Sequence, residues 1–132
     1  MSRFQSTLVG LACCVTMSLV FASSASACEP DPGRQPIRVS VGADGKPVVS
    51  PEEVRACIGE TIRWVFNGWA AKQFAVEFTS AEDSPFSWGR QTGATVEGTI
   101  KTDAVKDNKP TPYSYNVSFD SQASDPRIIV DP

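Results

Sequence analysis

The chain has 132 residues, with 12 Lys+Arg against 15 Asp+Glu and no histidine. That length holds one domain. A mildly acidic balance, with no basic patch and no aromatic-plus-arginine cluster, excludes nucleic acid as a partner.

Residues 1–27 read as a signal peptide. Arg3 supplies a weak positive start, Leu8 to Ala22 is mostly apolar, and Ala25-Ser26-Ala27 fits the small-residue cleavage pattern. The apolar stretch is roughly 15 residues, short of the ~20 that a membrane-spanning helix needs. Export to the periplasm or beyond is therefore expected. Removing 27 of 132 residues leaves 105, and the loss of Arg3 leaves 11 Lys+Arg against 15 Asp+Glu, a net charge of −4.

Cys13 and Cys14 leave with the leader, and Cys28 and Cys57 stay. In an oxidising compartment one pair reads as a disulfide pinning the N-terminal arm to the domain. Closing that loop contributes roughly 3.5 kcal/mol in the chain-entropy picture. The alternative is an outer-membrane lipoprotein. Cys28 directly follows the cleavage site, and Ala25-Ser26-Ala27 fits a lipobox in its last two positions but lacks leucine at its first.

Residues 28–36, rich in proline and polar groups, form an extended arm in which Pro30, Pro32 and Pro36 block a helix. Residues 37–132 form the domain. Ile37 to Val41 alternates as a strand, Ala43 to Pro47 is a turn, and Val48-Val49 restarts an extended segment. Ser50-Pro51-Glu52-Glu53 has the form of a helix start. Val54, Ala56 and Ile58, however, alternate with Arg55 and Cys57, and Gly59 leaves little room for a helix, so a strand is expected. Thr61 to Phe66 is a strand ending at the turn Asn67-Gly68, and Phe74 to Phe78 is the next. Ser80 to Gly93 reads as a long loop, Thr95 to Lys101 as a strand, and Asp103 to Pro112 as a charged turn. Tyr113, Tyr115, Val117 and Phe119 alternate with polar residues. A polar loop from Asp120 to Asp125 follows, and Ile128-Ile129-Val130 closes the chain. Seven or eight short strands without an amphipathic helix predict an all-β antiparallel sandwich.

Three stretches resemble the cupredoxin family, the Greek-key β-sandwich of blue-copper electron-transfer proteins. They are Gly59-Glu60-Thr61-Ile62-Arg63-Trp64-Val65-Phe66-Asn67, Phe74-Ala75-Val76-Glu77-Phe78, and Tyr113-Ser114-Tyr115-Asn116-Val117. Asp125 to Val130 together with Ser84-Pro85-Phe86 further resembles cupredoxin-like secreted bacterial proteins. Blue copper needs two imidazoles, a thiolate and usually a weak thioether. The resemblance places those ligands at or beside Phe74, near Val117, near Asp120, and near Asp125 or Pro126. None is a ligand of the right kind, and both methionines, Met1 and Met17, lie in the leader. The resemblance thus implies the fold without type 1 copper, and no cofactor is expected.

No G-x-S-x-G, no S-x-x-K in a suitable context and no phosphate-binding glycine loop is present, so no enzyme is expected. Asp120, Asp125 and Glu82-Asp83 offer carboxylates for a hard cation such as calcium, although ordinary solvated loop charges explain them as well. That, or metal handling by Cys28 and Cys57, is the alternative function. Trp64 lies in an apolar strand and belongs to the core. The three tryptophans invite a sugar-binding reading, since aromatic faces can stack on pyranose rings. Trp69 and Trp88 fall on loops, where aromatics either anchor a ligand or partner or fold back over the sandwich end. If a binding surface exists, Trp69, Phe86, Trp88 and Arg90 carry it, with Lys72 and Gln73 nearby and Asp120 and Asp125 on the loop beyond. The functional expectation is a non-catalytic binding or interaction module.

Overall fold

The computed structural model describes residues 27–120 and 122–132; the signal-peptide reading of 1–27 lies outside them save for Ala27. The described residues form eleven strands and no helix. They are β1 (Ile37–Val41), β2 (Pro47–Ser50), β3 (Glu53–Cys57), β4 (Thr61–Phe66), β5 (Phe74–Glu77), β6 (Arg90–Gly93), β7 (Thr95–Thr99), β8 (Thr111–Ser114), β9 (Asn116–Phe119), β10 (Gln122–Ser124) and β11 (Arg127–Asp131). Hydrogen bonding groups them as β2-β1-β4-β7, β10-β9-β5-β6 and β3-β11-β8.

The expected all-β sandwich is present but is not purely antiparallel, because β1 runs parallel to β4 and β3 parallel to β11. The larger strand count has a simple cause. Three runs are interrupted where the chain leaves one sheet for another: β2 to β3 at Pro51-Glu52, β6 to β7 at Ala94, and β8 to β9 at Tyr115. Joined across those breaks, the eleven segments make eight runs. The third break is invisible to periodicity, because Tyr113, Tyr115 and Val117 are all buried and the alternation runs straight through. What changes there is the hydrogen-bond partner. Ser114 opposes Arg127 of β11, whereas Asn116 opposes Glu77 of β5. At the junction the Tyr115 N–H donates to the carbonyl of Pro126 at 3.1 Å, and Pro126 has no N–H to return.

Two expected loops are shorter than their polarity suggested. Arg90–Gly93, assigned to the loop after Ser80, is a strand paired with β5 in the register Phe74↔Gly93 to Glu77↔Arg90. Gln122–Ser124, assigned to the loop from Asp120, is a strand paired with β9, Gln122 opposing Phe119. Arg90, Gln91, Thr92, Gln122 and Ala123 are all exposed, so neither strand has an apolar face to announce it. Asp120 turns the chain between β9 and β10 with φ 53°, a left-handed conformation that aspartate tolerates better than most residues. The ambiguous stretch at Ser50 enters a strand, as its alternation predicted. Val54 and Ala56 are buried, Glu53 and Arg55 exposed, and β3 pairs in parallel with β11.

The core is aromatic. Trp64, wholly buried, donates its indole N–H to the Tyr115 hydroxyl at 3.1 Å. Its ring meets Phe86 and Tyr115 edge-on, each at 5.6 Å between centroids, the geometry that the ring quadrupoles favour. Phe86 in turn stacks on Trp88 at 4.9 Å. Gly98 of β7 makes room for this packing: a Cβ there would lie 2.6 Å from the Phe86 ring.

Burial pushes the Tyr115 phenol well above the usual tyrosine range, against a smaller opposite effect of its bond to Trp64, and burial raises Tyr113 as well. Both stay neutral in the fold at pH values where the unfolded chain ionises them. Their contribution is therefore complete below the ordinary tyrosine value of about 10 and is lost as pH rises above it. Replacing Tyr115 by Phe strands the Trp64 N–H, so Tyr115→Phe should cost about 1–3 kcal/mol at pH 7. In the same variant the fall of stability above about pH 10 should be shallower than in the parent. Denaturant titrations at both pH values check the two effects together.

Candidate functional site

The strand register sorts five of the eight expected surface residues between the ends of the sandwich. Phe74, at the start of β5, lies beside the end of β9, because Ala75 opposes Ser118. Glu77 and its partner Arg90 lie at the far end of β5. Trp69, Lys72, Gln73 and Asp120 therefore share the Phe74 end, and Arg90 belongs to the other.

The Phe74 end is built on phenyl rings. Phe66 and Phe119 meet edge-on at 6.5 Å. The loop 67–73 is fixed to them at both flanks. The Asn67 N–H donates to the Val39 carbonyl at 2.7 Å. Gly68 packs so closely on Phe66 that a Cβ would fall 2.5 Å from the ring. On the other flank the Lys72 ammonium sits 4.5 Å from the Phe119 centroid and 3.9 Å from the Asp120 carboxylate. A cation over a ring face gains from the quadrupole, while the exposed ion pair adds little. Between these fixed flanks Trp69 is fully exposed, at 108% of the reference area. Gln73 is exposed beside it.

The positions that the sequence resemblance assigned to copper ligands carry other contacts. Phe74 and Val117 are buried in the core, Asp120 pairs with Lys72, and Asp125 is exposed next to buried Pro126. Among the described residues no three His, Cys, Asp or Glu side chains gather as a metal-holding group.

The other expected residues do not join Trp69. Phe86 has no exposed surface and is a core residue, not a surface contact; Trp88 is stacked on it and partly buried. The loop that carries them folds back over the sandwich, the second of the two readings for loop aromatics. Arg90 is engaged with Glu77 at 2.9 Å. Asp125 lies away from Asp120 on a small pocket of about 160 Å³, shared with Glu52 and Ser124.

The disulfide expected between Cys28 and Cys57 is present and ties the N-terminal arm to β3. The charged groups that gather beneath that arm were not read from the sequence. Under the arm lies Glu60, buried at 3% exposure. It accepts hydrogen bonds from Arg34 Nε at 2.5 Å, the Asp31 N–H at 3.3 Å and the Cys57 N–H at 2.9 Å. Arg34 also donates to the Arg55 carbonyl at 2.6 Å. Gly59, with φ 84°, makes the left-handed turn that sets Glu60 in place. The arm and the strands beneath it enclose an open groove of about 720 Å³, bordered by Arg34, Glu60, Arg63 and Glu97. Arg63 and Glu97 pair across β4 and β7 at 3.2 Å. The charges in the groove thus satisfy one another. Arg34 lies 26 residues before Glu60, and no local pattern marks the pair.

No family model matches the chain, and no curated protein matches it. It is similar to solved structures of amicyanin. One is the reduced Cu(I) form at pH 4 of a proline-to-glycine variant, with TM-score 0.44 and 14% identity over 74% of this chain and 84% of that one. Another is the Cu(I) form of a methionine-to-alanine variant, with TM-score 0.44 and 13% identity over 82% of this chain and 95% of that one. A third is the oxidised state of a proline-to-alanine variant, with TM-score 0.45 and 13% identity over the same shares. At this distance no ligand position transfers from those chains to this one.

Removing the Glu60 carboxylate leaves Arg34 and two backbone N–H groups short of an acceptor. Glu60→Ala should destabilise the protein by about 1–3 kcal/mol and free the arm between its disulfide and β1. Trypsin should then cut after Arg34 much faster than in the parent, as followed by mass spectrometry. An unchanged cutting rate would show that the arm is held without Glu60.

Proposed function

We propose that the protein is an exported, non-catalytic, cupredoxin-like module that holds no type 1 copper and works by binding a ligand or partner in the periplasm or outside the cell. The reading is carried by one observation: where the sequence resemblance would place copper ligands, Phe74 and Val117 are packed into the core and Asp120 is engaged by Lys72. A copper site needs soft sulfur and imidazole nitrogen; Phe74 and Val117 are hydrocarbon, and the chain has no histidine.

Other details support the same reading. The disulfide uses both cysteines, and a disulfide sulfur is a far poorer ligand than a thiolate, which weakens metal handling by Cys28 and Cys57. Asp120 and Asp125 lie at different places, which weakens a shared hard-cation site. Without histidine, acid–base catalysis would fall to carboxylates, lysines or tyrosines, and Tyr113 and Tyr115 are buried with raised pKa values. The disulfide fits an oxidising compartment, and no helix among the described residues is long and apolar enough to cross a membrane. The binding role rests on the exposed Trp69 at the Phe74 end.

Titration of the purified protein with Cu(II) tests the copper half of the proposal. No intense visible thiolate–copper absorption should develop, and the melting temperature should not rise with copper. A saturable, stoichiometric charge-transfer band would overturn the reading.

A further inference from the structure

Trp69 stands apart from the rest of the surface. Among the described residues only Val41, Val48 and Trp69 are large apolar side chains with substantial exposure, and the two valines are about half-exposed, at 45% and 47%. The loop that carries Trp69 is fixed at both flanks, by the Asn67–Val39 hydrogen bond and the Gly68–Phe66 contact on one side and by Lys72 on Phe119 and Asp120 on the other. A bare indole between two anchored flanks offers its whole face to a ligand, and the anchors limit how much of the loop must be ordered on binding.

We propose that Trp69 is a stacking platform for a pyranose ring of a glycan, with Asn67, Gln73, Lys72 and Asp120 as hydrogen-bonding partners for its hydroxyl groups. The proposal rests on the binding-module reading above and names its ligand class. The face of an indole carries negative quadrupole charge. A pyranose presents C–H bonds of slight positive polarity on its apolar face and hydroxyls around its edge. The neighbours of Trp69 match that pattern. Ala70 and Ala71 are exposed and small, leaving room for a ring against the indole. Asn67 and Gln73 are exposed amides on the same loop, and the Asp120 carboxylate is 88% exposed beside Lys72.

Other occupants fit less well. A stable protein interface covers roughly 800 Å² on each partner and gathers several aromatic or arginine anchors around an apolar centre. Here one aromatic is flanked by alanines and polar groups. An anionic lipid surface would repel a chain whose formal charge is −4 without residues 1–27 and whose one cation at this loop already faces Asp120. A single stacked ring gives weak binding, so affinity should grow with glycan length as neighbouring rings rebind.

Trp69 can be changed without touching the core, which makes the test clean. The indole N–H resonance of Trp69, assigned with Trp69→Phe, is followed while β-1,4-linked N-acetylglucosamine oligomers, glucose oligomers or phosphatidylglycerol vesicles are added to the protein. The proposal expects a saturable shift with at least one oligosaccharide series, stronger for longer oligomers. It also expects retention on the matching insoluble polysaccharide to fall at least about tenfold in Trp69→Ala, with an unchanged melting temperature and an intermediate value for Trp69→Phe. No shift with either series, a shift with vesicles alone, or retention unaffected by Trp69→Ala would each overturn it. Those outcomes leave the copper titration untouched, whereas a copper charge-transfer band would count against the underlying reading whatever the glycans do.

Discussion

The hydrogen bond from the Trp64 indole to the Tyr115 hydroxyl joins residues 51 apart and fixes the arrangement of the sheets around it. Trp64 belongs to β4 of the first sheet, and Tyr115 stands where the chain passes from β8 to β9 and so from the third sheet to the second. A buried indole N–H without an acceptor is costly, so the sandwich must bring these two side chains together. Phe78, Phe86 and Trp88 fill in around them. The loop before β6 is thereby drawn over the sandwich to deliver Phe86, and Gly98 leaves the space for it. That demand removes Phe86 from the surface and leaves Trp88 only partly accessible.

The same packing accounts for the contrast between the two ends. At one end aromatic side chains are drawn inward and the remaining charges pair locally, as Arg90 does with Glu77. At the other, Phe66, Phe74 and Phe119 close the sandwich, with Lys72 laid on the last ring. Trp69 has no place in that closure and stays in solvent. An exposed tryptophan adds little to the fold, and the proposed stacking on a glycan would give it a role outside the chain.

Much of this was legible in the sequence because it rests on local periodicity. Tyr113, Tyr115, Val117 and Phe119 alternate and are all buried; Trp64 sits in an apolar strand and is in the core; Asn67-Gly68 ends a strand; Cys28 meets Cys57. What escaped depends on long-range pairing or lacks an apolar face. The strands Arg90–Gly93 and Gln122–Ser124 are held by backbone hydrogen bonds to buried neighbours and show no alternation of their own. The burial of Glu60 depends on Arg34 and on the backbone N–H groups of Asp31 and Cys57, brought together by the disulfide-tied arm. Grouping Phe86, Trp88 and Arg90 with Trp69 followed from their being on loops, and sequence proximity does not say which end of a sandwich a loop covers.

Export, the disulfide and a metal-free fold meet in one observable, the native mass of the protein isolated from copper-supplemented cells. The account predicts the mass of residues 28–132 less two hydrogens, with no metal adduct under conditions that keep the protein folded. A stoichiometric copper adduct, or an acyl group on Cys28, would contradict it.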